Sequence, residues 1–537
     1  MTPGETSHAD TCAAIKATAM LITASTIATR RFRVISCRLI WSVSHVPARR
    51  KGRAAWRAAN RGARTFMTCA GYPQMVSVAR GPRSIFAGRL APPATISASK
   101  IIGILRAARD KNSIMADSYL IRPITDDEYD GFRLVLQHAF HGGGDRENPP
   151  WRQQLFEIDR SLAAFDSARP DAGPVGATGI YTFGMAVPGG VLPVAGVTMV
   201  GVLPSHRRQG ILRSIMRRQI ADIAARGEEP IAALWASETP IYGRYGYGKA
   251  TAHGYFRFGR GDGALDPHAP SDSALSLRLA EPAEVASELA KVYDAVLAGQ
   301  PGFPTRSDAW WARMLHDPEG ERHGFSPQRC VLAEHGSGIR GYALYAAQGR
   351  WDDTTGLPDG VLEIRELIAA DPAAAAALWT DLLGRDLITS VLADHRPAED
   401  PVLYQLLDAR RARSNVTDGL WVRIIDLPAA LARRSYACPV DAVLEVADEL
   451  LPGNTGRWRL RASAPGGGPA SEVSCERTDD PADVALDVRE LGAAYLGGTR
   501  LGTLASAGLV TELRPGALGA LSAAFTWDPA PWCPRVF

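Results

Sequence analysis

The chain lacks most of the patterns that announce common protein classes. Its 537 residues hold seven cysteines, at positions 12, 37, 69, 330, 438, 475 and 533. None form C-x-x-C or a Cys/His cluster, so neither a disulfide framework nor a metal site is indicated, and free thiols in a reducing cytoplasm are expected. The apolar stretch Ala19–Ile27 is too short to span a bilayer. Lys16 alone precedes it while Arg30, Arg31 and Arg33 follow, the reverse of a secretory signal. His141-Gly142-Gly143-Gly144 matches an oxyanion motif of some esterases, but the G-x-S-x-G elbow that this chemistry needs is missing. The run Gly259-Arg260-Gly261-Asp262-Gly263 has no properly placed strand and helix around it, so it is no dinucleotide fingerprint.

Acids are scarce in one part only. Residues 1–114 contain three (Glu5, Asp10 and Asp110) against nineteen Lys/Arg, whereas residues 115–537 carry a net charge of −13. A segment of this kind reads as a targeting peptide, as a phosphate-binding arm, or as a disordered or artefactual extension. The last is expected here, because Met115 opens an ordinary domain start, MADSYLIRPITDDEYDGF. The remainder is expected to be cytoplasmic, with no nucleic-acid partner and no stable membrane insertion.

What is present is globular. Hydrophobic residues make up 46% and charged residues 22%, and the length calls for two to four domains. From Ser118 the pattern predicts a strand and then a helix, with Thr125 as N-cap and Asp126, Asp127 and Glu128 at the favourable end of the dipole. Residues 175–204 read as two or three strands around Pro188-Gly189-Gly190. A helix after Gly210 places Ile211, Leu212, Ile215, Met216, Ile220 and Ile223 on one face, and IAALWA at 231–236 is a buried strand. The Gly/Asp/Pro/Ser loop at 259–274 suggests a boundary near 270. A second α/β region over 271–417 echoes the first without its basic turn. A third, smaller α/β region follows over 418–537, in which PADVALDVRELGAAYLGG reads as helical.

Residues 200–248 carry the chemistry. Coenzyme A presents a diphosphate, an amide-bearing pantetheine arm and a thioester. Arg207-Arg208-Gln209-Gly210 at a helix start offers positive charge, backbone N–H groups and close approach to the diphosphate. Val200-Gly201-Val202 offers a strand edge with which the pantetheine amides can pair. The aromatic Gly-rich turn that follows supplies Tyr242, whose phenol is protonated at neutral pH.

The runs VGVLPSHRRQGIL and ASETPIYGRYGYG resemble the GNAT acetyltransferase superfamily. More closely, with DGLWVRI at 418–424, YLGG at 495–498 and the terminal Phe537, the chain resembles the actinobacterial enhanced intracellular survival (Eis) family of aminoglycoside N-acetyltransferases, over about Met115–Phe537. That resemblance implies two tandem GNAT folds, only the first (115–270) catalytic, and a sterol-carrier-protein-like α/β domain at 418–537. It implies a homohexamer. It implies that acetyl-CoA is held by Val200, Gly201, Val202, Arg208, Gln209, Gly210, Ile211, Leu212, Arg213, Ser237 and Glu238. Tyr242 would be the general acid and the Phe537 α-carboxylate the general base, with Phe140 and Trp151 lining the pocket of a cationic amine substrate such as an aminoglycoside.

An ionised chain-terminal carboxylate can accept the amine's proton, and desolvation would raise its basicity. The apolar tail PWCPRVF is unlike a frayed terminus. Two features depart from the family pattern: Val536 stands where an acid is common, and HAFHGGGDRENPPW (138–151) is Gly-rich where the pocket belongs. The alternatives are a protein lysine N-acetyltransferase and a non-catalytic acyl-CoA- or lipid-binding regulatory protein.

Overall fold

The structure, a computed structural model, describes residues 118–142, 149–336, 338–463 and 473–537. The extension expected over 1–114 lies outside them, as do residues 143–148 of the Gly-rich segment. Near the start of the first sheet, Thr125, the expected N-cap, forms a capping box with Glu128.

That sheet opens with β1 (Tyr119–Pro123), β2 (Leu162–Asp166), β3 (Pro174–Val187), β4 (Gly190–Val202), β5 (Ile231–Trp235) and β6 (Gly248–Lys249). Strands β2 and β5 read as continuous apolar runs because both of their faces are covered. On β2, Ala163 and Phe165 face Phe132 and Val135 of α1 (Tyr129–Phe140), while Ala164 faces Ile211 and Ile215 of the helix Ile211–Arg226.

The second sheet runs in the order β8-β9-β10-β11-β12-β7-β13. Its strands are β7 (Ala252–Gly259), β8 (Leu275–Ala280), β9 (Arg329–His335), β10 (Gly338–Gln348), β11 (Gly360–Ala369), β12 (Ile388–Pro397) and β13 (Asn415–Asp418). The next strand, β14 (Leu420–Ile424), returns to the first sheet and completes its order, β1-β2-β3-β4-β5-β14-β6. The two sheets thus exchange their sixth strands: β7 pairs with β12 and β14 with β5, both antiparallel. Strand membership therefore crosses both boundaries read from loop composition, near 270 and near 418. Composition marks where the chain is exposed; ladder pairing decides where a strand belongs.

The third sheet is β17-β16-β15-β18-β19, built from β15 (Val440–Ala447), β16 (Gly456–Ala462), β17 (Val473–Arg477), β18 (Val484–Asp487) and β19 (Val510–Glu512). The segment 481–498, read as helical, divides into β18 and a helix at Val488–Ala494, because Asp487 caps the helix by accepting from the Arg489 N–H. One apolar core joins Met185 and Val194 of the first sheet, through Val422 of β14, to Leu444, Leu460 and Tyr495 of the third region. The C-terminal tail then crosses the second region. There Trp532 donates its backbone N–H to Pro301 O (2.9 Å) and its indole N–H to His395 O (2.7 Å). Among the described residues no helix is long and apolar enough to cross a membrane.

Candidate active site

A bulge opens a cleft beside β4. The β3–β4 register shifts between Ala177 and Gly179, and opposite it Met199 sits at φ +56°. Such a bulge bends its strand. Only Val194–Gly196 of β4 pair with β5, so beyond them the main chain of 197–202 is open on the β5 side. The turn that follows places Arg208 at φ +64° and Gly210 at φ +85°. Gly210 leads into the helix Ile211–Arg226 with no side-chain cap, and the first helical bond runs from Ser214 N to Gly210 O, 3.0 Å. The leading N–H groups of that helix face a cleft of about 530 Å³. His206, Arg207, Arg208, Arg213 and Arg244 line it, with Glu238 as the one acid among its described lining residues. An open strand edge, free N–H groups and clustered cations form a cradle for a nucleotide diphosphate with an amide-bearing arm.

A second cavity, of about 420 Å³, meets this cleft at Phe140, Val200, Ser237 and Tyr242. Tyr242 ends the short helix Thr239–Tyr242 and is 4% exposed. Burial holds its phenol above the ordinary value, while hydrogen bonding to Ser237 pulls it down. The turn carrying it is fixed from the third region. Gly246 (φ +80°) lies against the guanidinium of Arg423, which is fully buried in a pair with Asp448 at 2.7 Å. A side chain at Gly248 would strike the backbone at Arg489.

Opposite Tyr242 in the same cavity lies the chain terminus. Phe537 is 7% exposed; its ring packs edge-on against Phe183 at 4.9 Å, and its backbone oxygen accepts from Thr198 Oγ1 at 3.2 Å. The far wall comes from the second sheet: His253 and Tyr255 on β7, His395 on β12, and Thr417 and Asp418 on β13. The imidazoles of His253 and His395 stack at 5.1 Å and 16°. Burial, then His253 and Arg535, hold His395 down to about 4, and burial also lowers His253 against the pull of Asp418. Both rings are neutral at pH 7.

Models of the acetyltransferase (GNAT) domain match residues 120–250 and, separately, 302–424, and a sterol carrier protein domain matches 427–534. An uncharacterized N-acetyltransferase of Streptomyces coelicolor is 42% identical over 418 residues, covering 78% of this chain and 99% of the relative. The N-acetyltransferase Eis of Mycobacterium bovis is 35% identical over 419 residues, 75% of this chain and 96% of its own. The chain belongs to the Eis family of GNAT N-acetyltransferases. The crystal structure of Eis1 from Mycobacterium abscessus superposes with a TM-score of 0.64 at 32% identity, covering 78% of this chain and all of that one. The molecule is thus an acetyltransferase enzyme with two tandem GNAT folds and a sterol-carrier-like domain, and the GNAT fold implies acetyl-CoA as donor.

Within this Eis-family frame, most of the expected site residues come together. Val200, Gly201, Val202, Arg208, Gly210, Ile211, Leu212, Arg213, Ser237 and Glu238 line the cation-lined cleft, and Tyr242 and Phe537 share the second cavity. Two do not follow. The Gln209 side chain turns away from the cleft to accept from the Tyr119 hydroxyl. Phe140 stands at the junction of the two cavities, but Trp151 lines a third, of about 270 Å³, with Tyr129, Phe156 and Tyr181. It sits there because its short helix, Pro150–Leu155, packs on the helix Asp308–Leu315. The sequence reading passed over His253, Tyr255, His395 and Asp418. Buried polar rings inside apolar strands, as in AHGYFRFG, were the one available signal.

Proposed function

We propose that the enzyme transfers acetyl from acetyl-CoA to an amine of a cationic small molecule such as an aminoglycoside, by direct attack within a ternary complex. The observation that carries this reading is that Tyr242 and the terminal Phe537 line one cavity, which opens into the cation-lined cleft at Ser237 and Tyr242 itself. In this reading the β4 edge at Val200–Val202 pairs with the pantetheine. The N–H groups and arginines of 208–213 hold the diphosphate, with Gln209 contributing through its backbone, and Ser237 and Glu238 flank the thioester. The amine nitrogen attacks the acetyl carbon and the C–S bond breaks. Tyr242 protonates the departing thiolate, and the Phe537 carboxylate takes the proton lost by the amine. Two carboxylates, on Asp418 and Phe537, beside neutral imidazoles favour a cationic acceptor. A cytoplasmic homohexamer is the expected form, which sedimentation checks.

Thiol release from acetyl-CoA against an amine panel, with mass spectrometry of the products, tests the reading. Acetylated aminoglycosides support it. Release only with lysine peptides would move the acceptor to proteins, and release with no amine despite acetyl-CoA binding would leave a regulatory role.

A further inference from the structure

We infer that His395 is a substrate-facing hydrogen-bond acceptor in the cavity beside Tyr242, and that it selects amines carrying a second N–H or O–H donor. This deepens the proposed function and rests on it. Three features of the fold converge on this ring. First, the β12–β7 register shifts between Ala393 and Arg396, and His395 lies inside that irregularity at φ +54°. A bulge re-aims a side chain, and non-glycine residues in this backbone region cluster at functional sites. Second, the C-terminal tail locks the bulge, because the Trp532 indole donates to the His395 carbonyl at 2.7 Å. Third, the ring is held by stacking on His253, by an edge contact with Trp235 (5.5 Å, 69°) and by the tilted ring of Tyr255 (6.0 Å, 56°).

The two stacked imidazoles are not equivalent. His253 is engaged, since its Nε2 lies 3.1 Å from Thr417 Oγ1. The His395 ring makes no side-chain hydrogen bond among the described residues, and the residue lines the cavity. The charged groups around it are Asp418 and the Phe537 carboxylate in the cavity, Arg535 on the tail and Asp394 next in the strand. A ring that stays neutral at pH 7 does not repel an ammonium group and presents one lone pair. An acceptor without a second donor leaves that lone pair unmatched, and sites built to hydrogen-bond a substrate reject analogues that cannot. The favoured class is a polyamine or amino sugar rather than a simple alkylamine.

The test is calorimetric titration of the enzyme–coenzyme A complex with putrescine and with n-butylamine. Three forms are compared: wild type, His395→Gly and His395→Asn. Glycine and asparagine both tolerate the positive φ, and only asparagine restores an acceptor. We expect the wild-type preference for putrescine to fall about tenfold in His395→Gly and to recover in part in His395→Asn. An equal preference in all three forms, or no binding of either amine to wild type, would overturn the inference. Binding without thiol release would instead sink the proposed reaction while leaving the role of His395 readable.

Discussion

The two seven-stranded sheets share one layout and differ at one turn. In the first, β4 leads through Gly210 to a helix start without a side-chain cap, ringed by cations. In the second, β11 leads to Asp371, whose carboxylate accepts from the N–H groups of Ala373 (3.0 Å) and Ala374 (3.1 Å) and pairs with Arg340 at 2.9 Å. Pro372, next in the chain, has no N–H to offer. The second helix, Pro372–Leu383, therefore satisfies its own leading donors and puts negative charge where a diphosphate would lie. One architecture thus carries two different helix starts, one open and cationic and one capped, and on the proposed reading the turn rather than the fold decides where the donor binds. The second sheet is still part of the site, because β7, β12 and β13 form the wall that faces Tyr242.

Several changes would break or sharpen that contrast. The largest effect is expected from Tyr242→Phe, which should lower kcat by roughly 10²–10⁴-fold while acetyl-CoA affinity, read by calorimetry, stays nearly the same. Since burial raises this phenol, it stays protonated across the neutral range. The wild-type kcat profile should therefore show no alkaline fall below about pH 10. Residues appended after Phe537 come next: they move the carboxylate away from Thr198, and steady-state kinetics should show a loss of about 10²-fold.

Gly210→Asp puts a carboxylate at the first helix start, on a backbone at φ +85° rather than the extended one that Asp371 has. It should weaken acetyl-CoA by about 2 kcal/mol, roughly thirtyfold, in equilibrium titration. Smallest is the reverse change, Asp371→Ala, which removes a cap. It should cost about 1 kcal/mol in denaturant melts and create no second acetyl-CoA site. A second bound equivalent would show that the cap alone separates the two regions.

The donor cleft was legible because it is local. Strand, turn and helix follow one another from Val200 to Arg226, and each step has its own signature: apolar alternation, Pro204, the basic turn, Gly210. Of the second cavity, Val200 and Tyr242 stood out in the motif itself, and Phe140, Ser237 and Phe537 through family resemblance. Its far wall is assembled from residues as distant as His253 and His395, brought together by a strand exchange that depends on pairing register. No local periodicity reports such pairing. Family resemblance placed Trp151 in the pocket, and the same blindness read β18 as helix, since V-A-L-D followed by a capped helix has apolar residues consistent with either period.

A crystal structure of the enzyme with acetyl-CoA tests most directly whether the uncapped, cationic turn is the donor site. The diphosphate should rest on the N–H groups of 208–213, with the thioester sulfur beside Tyr242 and nothing bound at the Asp371-capped helix. A coenzyme seated on the second sheet, or a thioester remote from Tyr242, would contradict it.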